Sequence, residues 1–544
     1  MDYNKLAELL FSDITKTPKS YEELFPKRNL PEGAKVTRLG PSPTGFIHLG
    51  NLYGAFADER LAHQSGGVFF LRIEDTDDKR YVEGAVETII NSLDFFGIKF
   101  DEGATMEGDS GIYGPYHQSS RAEIYQCFVK ELVKKGQAYP CFLTEEEIAE
   151  IRAGQEANKL NPGIYGEFAK HRNLSYEEIE ENIKAGKPYV MRLKSDGNPA
   201  QPKTITVADG IRGELSMPEN VLDVVILKTN GIPTYHFAHA VDDHFMRTTH
   251  VVRGSEWISS LPIHVELFEK LGFELPVFCH TGVLEKIDEE GNRRKLSKRK
   301  DPELSLDYYR NEGYHADAVR EYLLTILNSN FEEWRIANPD APVDEFQFTV
   351  EKMNGGGALF DLNKLEDVSK DVLVKIPSED LYTFLVEWAA EFRPELNERL
   401  ADKAYWLKVL DLDRTGAKPR KDLINAKQII EYTNYFFEYV KQDEYPAEAA
   451  EDAKVILEKY LETYDHSDEQ PVWWDKIRAI TEELGYAVKP KDFKKHPEDY
   501  KGHVGHVSTV IRIALTGRAS SPDIWEIQQI MGEEKTRERI SAWI

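Results

Sequence analysis

Four clusters in this 544-residue chain combine residue types that can hold or polarise a ligand. The first is Pro41-Ser42-Pro43-Thr44-Gly45-Phe46-Ile47-His48-Leu49-Gly50-Asn51, a Pro/Gly-rich loop feeding a helical pattern. His48 and Gly50 then fall near a helix N-terminus, where free N–H groups and the dipole favour phosphate. Glycine at position 50 lets a nucleotide approach the backbone. The second is Arg72-Ile73-Glu74-Asp75-Thr76-Asp77, ending the apolar run Val68–Ile73. Ligands of open α/β sheets sit beyond strand C-termini, and a carboxylate there can hold an ammonium group. The third joins Pro233–His239, Asp242-Asp243-His244 and Val252–Trp257. Its histidines and aspartates have the donor types of a metal site, which spacing alone does not exclude, but the flanking sequence gives a better account. The fourth is Arg293–Lys300, with six basic residues in eight. Such a loop beside a nucleotide can stabilise charge building on phosphates in a transition state; a solvated charge run is the plain alternative.

The elements that must position these clusters alternate. Lys35–Leu39 and Val68–Ile73 have strand character, and Leu52–Gln64 and Glu83–Phe96 have helical character. That order predicts a Rossmann-type doubly wound parallel sheet. Residues 116–220 are less regular: helices at Ala122–Lys135 and Ser175–Ala185, strands at Pro188–Lys194 and Pro202–Asp209. They have the texture of an insertion. The α/β pattern resumes with strand candidates at Asp223–Thr229, Thr234–Ala240 and His250–Arg253. Beyond about residue 301 the pattern is helical, with amphipathic stretches at Ser378–Phe392, Leu423–Val440, Glu451–Tyr464, Val472–Leu484, Val507–Leu515 and Pro522–Ile530. Residues 1–33 predict a short helical strap with Leu6, Leu9 and Leu10 on one face.

Composition bounds the class. The 68 Lys and Arg against 95 Asp and Glu leave a net charge of −27, which taken alone argues against a nucleic-acid binder. Residues 351–544 share the deficit, with 28 basic and 38 acidic side chains. The 26 Phe and 26 Tyr argue against disorder. No apolar run approaches the ~18 residues of a membrane span, and Met1–Leu10 lacks a signal-peptide core, so a cytoplasmic protein is expected. Cys127, Cys141 and Cys279 are dispersed, odd in number and in no metal spacing, which fits a reducing compartment.

Together the motifs resemble the class I aminoacyl-tRNA synthetases. His48-Leu49-Gly50-Asn51 is similar to their HIGH signature, and Lys295-Leu296-Ser297-Lys298-Arg299 to their KMSKS signature. Within the class the chain resembles glutamyl-tRNA synthetase: PSPTG before His48, RIEDTD at 72–77, PTYHFA and VDDH at 233–244, VVRGSEW at 251–257, and Ala514–Arg518 with Pro522-Asp523. The likeness runs from about residue 35 to the end. It implies a catalytic domain in two halves (34–115 and 223–275) around an acceptor-binding insertion (116–222). A stem-contact region with the KMSKS-like loop (276–350) and a helical anticodon-binding domain (351–544) follow, with 1–33 outside the likeness.

The resemblance also implies chemistry. Glutamate would be activated by ATP to glutamyl-adenylate and passed to the 3′ end of tRNA(Glu), with Mg²⁺ carried by ATP. His48, Lys295 and Lys298 would be catalytic. His48, Gly50, Asn51, Trp257, Lys295, Ser297 and Lys298 would face ATP. Glu74 would take the α-ammonium and Arg38 and Arg253 would grip carboxylates. Ser42 and Tyr235 would add hydrogen bonds, and His239 stands where the family has a glutamate-contacting Asn. A neutral amide would strand an arginine in a dry site at about 2–5 kcal/mol, so glutamine should be rejected. Some relatives hold zinc through a Cys-x-Cys; Cys141-Phe142-Leu143 lacks the second thiol, so no zinc is expected. A monomer without membrane contact is expected. Whether tRNA(Gln) is also glutamylated stays open, as does which residues read the anticodon; Arg414, Lys418, Arg420 and Lys421 are candidates. Glutaminyl-tRNA synthetase, a truncated tRNA-modifying relative and a silent tRNA-binding paralogue are the rivals.

Overall fold

The first 33 residues form two helices, α1 (Tyr3–Leu10) and α2 (Pro18–Leu24), each opened by a cap. Asp2 accepts from the Asn4 and Lys5 N–H groups, and Thr17 and Ser20 exchange bonds. The computed structural model describes residues 1–44, 47–414, 416 and 418–544; Gly45 and Phe46 of the Pro/Gly loop lie outside the described residues. The chain divides into two units, Met1–Tyr308 with Arg320–Asp361, and Tyr309–Val319 with Leu362–Ile544.

In the first unit, β1 (Val36–Leu39), helix α3 (Leu49–Gln64), β2 (Val68–Leu71), helix α4 (Ala85–Phe95) and β3 (Glu102–Thr105) give three parallel strands, with β4 (Gly108–Ser110) antiparallel at the edge. β1 and Phe69–Leu71 are buried throughout, as strands covered on both faces must be. Helix α5 (Ala122–Lys134), β5 (Ala138–Cys141), helices α6 (Glu145–Ala157) and α7 (Tyr176–Lys184) and β6 (Val190–Leu193) follow. β7 (Thr204–Asp209) and β8 (Gly213–Pro218) form a hairpin, and β9 (Val225–Leu227) pairs antiparallel with β6. Asp223–Thr229 was expected to resume the catalytic sheet; its strand instead completes the β5-β6-β9 sheet.

Thr234–Ala240, expected as a strand, is the start of helix α8 (Tyr235–Phe245). Alternating Tyr235 and Phe237 mimic a period of two. The helix is buried on almost every side, so it lacks the polar face that would reveal a period of 3.6. β10 (His250–Gly254), helix α9 (Leu261–Leu271) and β11 (Val277–Thr281) then add a parallel pair, and β7 joins its edge beside β11 through Phe278 and Asp209. β10 lies next to β1: the Thr249 N–H donates to Val36 O at 2.9 Å, and Val36 N–H to Thr249 Oγ1 at 2.8 Å. Beyond that point, among the described residues, the two sheets are separate. The order β3-β2-β1-β10-β11 therefore reverses direction between β1 and β10, which is where an open α/β sheet forms its ligand crevice. A small sheet of β12 (Leu284–Ile287), β13 (Arg293–Lys295) and β14 (Ala358–Leu359) carries the basic segment.

The strap is tied down by charge. Lys130 of α5 donates to Phe11 O and Ile14 O and meets Glu8 at 2.9 Å. Arg28 forms a bidentate pair with Glu102 of β3.

The second unit is helical around two apolar cores, one centred on Trp406 and Phe436, the other on Trp473 and Ile511. Ser378–Phe392 is a helix as expected. The expected Leu423–Val440 helix is shorter: Asn425 caps Ala426–Tyr432, and a 3₁₀ turn at Asn434–Phe436 ends it. Among the described residues, no helix is long and apolar enough to cross a membrane.

Candidate active site

A cavity of about 680 Å³ opens at the C-terminal ends of β1 and β10. Arg38, Ser42, His48, Gly50, Asn51, Glu74, Tyr235, Arg253, Trp257, Lys295 and Lys298 all line it. Of the residues singled out in the sequence, Ser297 and His239 do not. Ser297 instead gives its N–H to Asp301 at 2.7 Å. His239 is fully buried, one helical turn behind Tyr235 on α8, with the two rings stacked at 5.7 Å. His239, expected from the resemblance as a glutamate contact, thus lies behind Tyr235, which stands on the cavity side. Burial brings His239 down to about 3, so it stays neutral although Asp243 Oδ2 is 2.5 Å away.

The His48 end is built by the cap of α3. His48 Nδ1 accepts from the Asn51 N–H at 3.3 Å, and Asn51 Oδ1 accepts from the His48 N–H at 3.1 Å. Asn51 thus completes a capping box. Because Nδ1 is an acceptor, the neutral ring carries its proton on Nε2. Burial first, then Lys298, brings His48 down to about 4. A Cβ on Gly50 would lie 3.0 Å from the His48 ring, so a side chain there would press on it.

One wall of the cavity is a closed charge network. Asp243 Oδ1 meets Arg72 Nη1 at 2.6 Å and Arg38 Nε at 3.2 Å, and Arg72 Nη2 donates to Glu74 Oε1 at 3.0 Å. Two guanidinium groups balance two carboxylates. Burial pushes Glu74 up despite both arginines, while the arginines hold Asp243 well below the usual carboxylate range against its own burial. The backbone passes close: a Cβ on Gly40 would fall 2.3 Å from Glu74 Oε1.

The other wall is Arg253, only 8% exposed. Its Nε donates to His280 Nε2 at 3.0 Å, its Nη1 meets His264 Nδ1 at 3.1 Å, and it lies over the Phe278 ring at 4.7 Å. Among the described residues no carboxylate is ion-paired with it; the Tyr235 hydroxyl is its remaining polar neighbour, and Nη2 makes no hydrogen bond of good geometry. Burial lowers its pKa. Tyr235 and Trp257 pack together nearby, with ring centroids 4.3 Å apart.

The basic segment divides in two. Lys295 and Lys298 face the cavity. Arg294 turns away and clasps Asp301 through both terminal nitrogens at 2.6 and 2.7 Å. Lys286 adds a second cation at 3.2 Å. Asp301, held far below its ordinary value chiefly by Arg294, is the anchor that fixes the segment. It directly follows the basic run, but no pattern in the sequence singled it out. His264, His280 and Asp209 were missed for a different reason: each stands on an element other than Arg253's, and His280 and Asp209 are also distant from it in sequence.

The metal-like donors of the third motif have other partners. Asp242 accepts from Arg121, Gln118 and Tyr125, Asp243 belongs to the arginine network, and His244 meets Glu22 at 2.5 Å.

Comparison with known proteins agrees with this geometry. The family described as tRNA synthetases class I (E and Q), catalytic domain, matches residues 35–367, and the anticodon binding domain family matches residues 384–544. A glutamate–tRNA ligase of Acetivibrio thermocellus is 62% identical, covering 99% of each chain. One from Clostridium perfringens is 50% identical over 99% of this chain and all of its own. The crystal structure of a glutamate tRNA ligase from Elizabethkingia meningosepticum in complex with its amino acid superposes with a TM-score of 0.75 at 28% identity, covering 94% of this chain and 99% of its own. With both domains present and such identity along nearly its whole length, the chain belongs to the glutamate–tRNA ligases of the class I aminoacyl-tRNA synthetase family.

Proposed function

We propose that the cavity binds glutamate between its two walls and ATP along the His48–Lys298 side. One observation carries this reading: a buried guanidinium without a carboxylate partner faces a wall whose charges already cancel. Between these two walls Arg253 is left as one positive charge for the amino acid, since burial keeps Asp58, which also lines the cavity, protonated; glutamate carries a net charge of −1. Glu74 takes the α-ammonium, whose charge offsets the burial that pushes Glu74 up. Arg38 supports the α-carboxylate, Arg253 takes the γ-carboxylate, and Ser42 and Tyr235 supply hydrogen bonds. Glutamine would leave the Arg253 charge unmatched in a site sheltered from water.

Family membership implies ATP as the energy source, typically with Mg²⁺. In the proposed reaction a glutamate α-carboxylate oxygen attacks the α-phosphorus of ATP, and the bond to the bridging oxygen breaks to release pyrophosphate. The terminal ribose hydroxyl of tRNA then attacks the mixed anhydride, forming the ester and releasing AMP. Positioning and charge stabilisation suffice, without a protein nucleophile. His48 donates from Nε2 toward the nucleotide, Gly50 and Asn51 hold the backbone close to it, Trp257 borders the adenosine, and Lys295 and Lys298 steady the departing phosphates. Ser297 acts on the loop's shape through Asp301. Mg²⁺ enters as part of the Mg–ATP substrate.

The rest of the proposal concerns setting. We assign the acceptor end of tRNA to the insertion and the anticodon to the helical residues beyond 351. The enzyme acts as a cytoplasmic monomer without zinc; Cys141 Sγ meets His171 Nδ1 at 3.9 Å, and among the described residues no third donor completes a metal-binding group with them. Arg414 is a poor anticodon reader, since it caps Leu373 O and Ile376 O. ATP–pyrophosphate exchange with tRNA present, run with glutamate and with glutamine, tests the central reading. Exchange with glutamate alone is expected; equal exchange with glutamine overturns it. Aminoacylation of tRNA(Glu) and tRNA(Gln) side by side sets the range of acceptors.

A further inference from the structure

Arginine can only donate hydrogen bonds, so each nitrogen it meets must be an acceptor. That fixes the protonation of a chain of buried side chains behind the cavity. His280 Nε2 accepts from Arg253 Nε, so its proton is on Nδ1, which donates to Asp209 Oδ2 at 2.6 Å. His264 Nδ1 accepts from Arg253 Nη1, so its proton is on Nε2, which donates to His236 Nδ1 at 3.0 Å. His264 and His280 are completely buried. The parts come from four separate elements: Arg253 from β10, His264 from α9, His280 from β11, and Asp209 from β7. The last explains a feature of the fold, since the β7–β8 hairpin leaves its neighbours in the chain to join the catalytic sheet at Asp209.

A carboxylate in place of either histidine would neutralise Arg253 and remove its need for an anionic ligand. A hydrophobic residue would leave a buried donor unsatisfied. Neutral imidazole acceptors do neither: they satisfy Nε and Nη1, leave the charge uncompensated, and leave Nη2 without a hydrogen bond of good geometry in the protein. We propose that His264 and His280, the latter oriented by Asp209, are positioning residues that aim the charged Arg253 guanidinium at the substrate and thereby set discrimination of carboxylate from carboxamide. This rests on the reading that Arg253 grips the γ-carboxylate. Burial keeps both rings uncharged: His264 lies well below its ordinary value and His280 below it, although Asp209 opposes the shift in His280.

The test uses the full-length enzyme with tRNA. His280→Leu and His264→Leu each remove an acceptor at similar volume. Each should raise the KM for glutamate about tenfold or more, with kcat and the KM for ATP within about threefold. His280→Gln and His264→Asn place an amide oxygen near the lost ring nitrogen and should restore most of the glutamate affinity. Folded leucine variants with unchanged glutamate KM, or amide variants as impaired as the leucine ones, overturn the proposal. Arg253→Ala, measured alongside, separates the two readings. If its glutamate KM is unchanged, the carboxylate grip itself fails; if its KM rises while the leucine variants stay normal, only the histidine proposal fails. Should the leucine variants not fold, ¹⁵N-histidine NMR of the unmodified enzyme decides. Nε2-protonated His264 with Nδ1-protonated His280 supports the proposal, and the opposite tautomer or an imidazolium at either position at neutral pH overturns it.

Discussion

The two walls of the cavity solve the same problem, holding a buried arginine, in opposite ways. Arg38 and Arg72 are matched by Asp243 and Glu74 inside the protein. Arg253 is matched by neutral histidines and a ring face, so its charge remains for a ligand. Burying charge is costly unless it is paired, and truncating one member of a buried pair leaves the other stranded. The matched wall should therefore matter most to folding and the unmatched wall most to binding. The lesson is that a buried arginine is a substrate-binding candidate to the extent that its surroundings leave it unpaired.

The sharpest way to break this contrast is Asp243→Asn. It leaves Arg38 and Arg72 facing each other with one carboxylate, and should lower stability by about 3–5 kcal/mol. Chemical denaturation measures it; a loss below about 1 kcal/mol would show that the network does not hold the wall together. Next comes Arg253→Ala. We expect kcat/KM for glutamate to fall on the order of 30- to 1000-fold, carried by KM, with a smaller loss of stability than in Asp243→Asn, because no internal ion pair is broken although two buried imidazole nitrogens lose their donor. A variant that unfolds while keeping its glutamate KM would reverse the roles of the walls. Lys298→Ala should affect neither wall. It should slow adenylate formation about tenfold to a hundredfold with little change in glutamate KM or tRNA affinity. Weakened tRNA binding alone would make the basic segment an RNA contact.

Legibility in the sequence followed chain distance. The alternation of strand and helix around Val36–Leu39, Leu49–Gln64 and Val68–Leu71 was plain because apolar runs and turn residues are local signals. Most of the cavity wall was legible for the same reason: Arg38, Glu74, Tyr235 and Arg253 stand in compact motifs. The C-terminal Thr516-Gly517-Arg518 is local only at its glycine. Gly517 ends helix Val504–Thr516 at a φ of 77°, and Arg518 donates to Glu431 O and Tyr432 O. What failed was non-local. Helix α8 resembled a strand because its burial erased its amphipathic stripe. The departure of β9 and β7 to different sheets depends on partners tens of residues away. Asp209, His264 and His280 support Arg253 from separate elements, and no spacing within any one of them announces it.

The smallest effect concerns pH, and it separates the walls by their titration. Burial, then His239 and Arg253, hold His264 below its ordinary value; His236 and Asp243 of α8 face it as well. Burial and Arg253 hold His280 down against Asp209, with Arg212 on the same side as Arg253. A histidine whose folded pKa is lowered takes up a proton in the unfolded chain before it does so in the folded one. Its stabilising contribution is therefore complete above about pH 6.5 and is lost as pH falls below that value. His48 and His250, both brought down to about 4, add to the same window between about 6.5 and 4. Stability measured across that window should fall with acid. Arg253→Ala removes the donor that makes His264 and His280 serve as acceptors, so their pKa values should rise toward the ordinary value and the acid-dependent loss should shrink. His48 and His250 are not partners of Arg253 and keep their share. A variant whose stability falls with acid as steeply as the unmodified enzyme's would mean that burial alone silences the two histidines, and that the second wall gains nothing electrostatically from the arginine it supports.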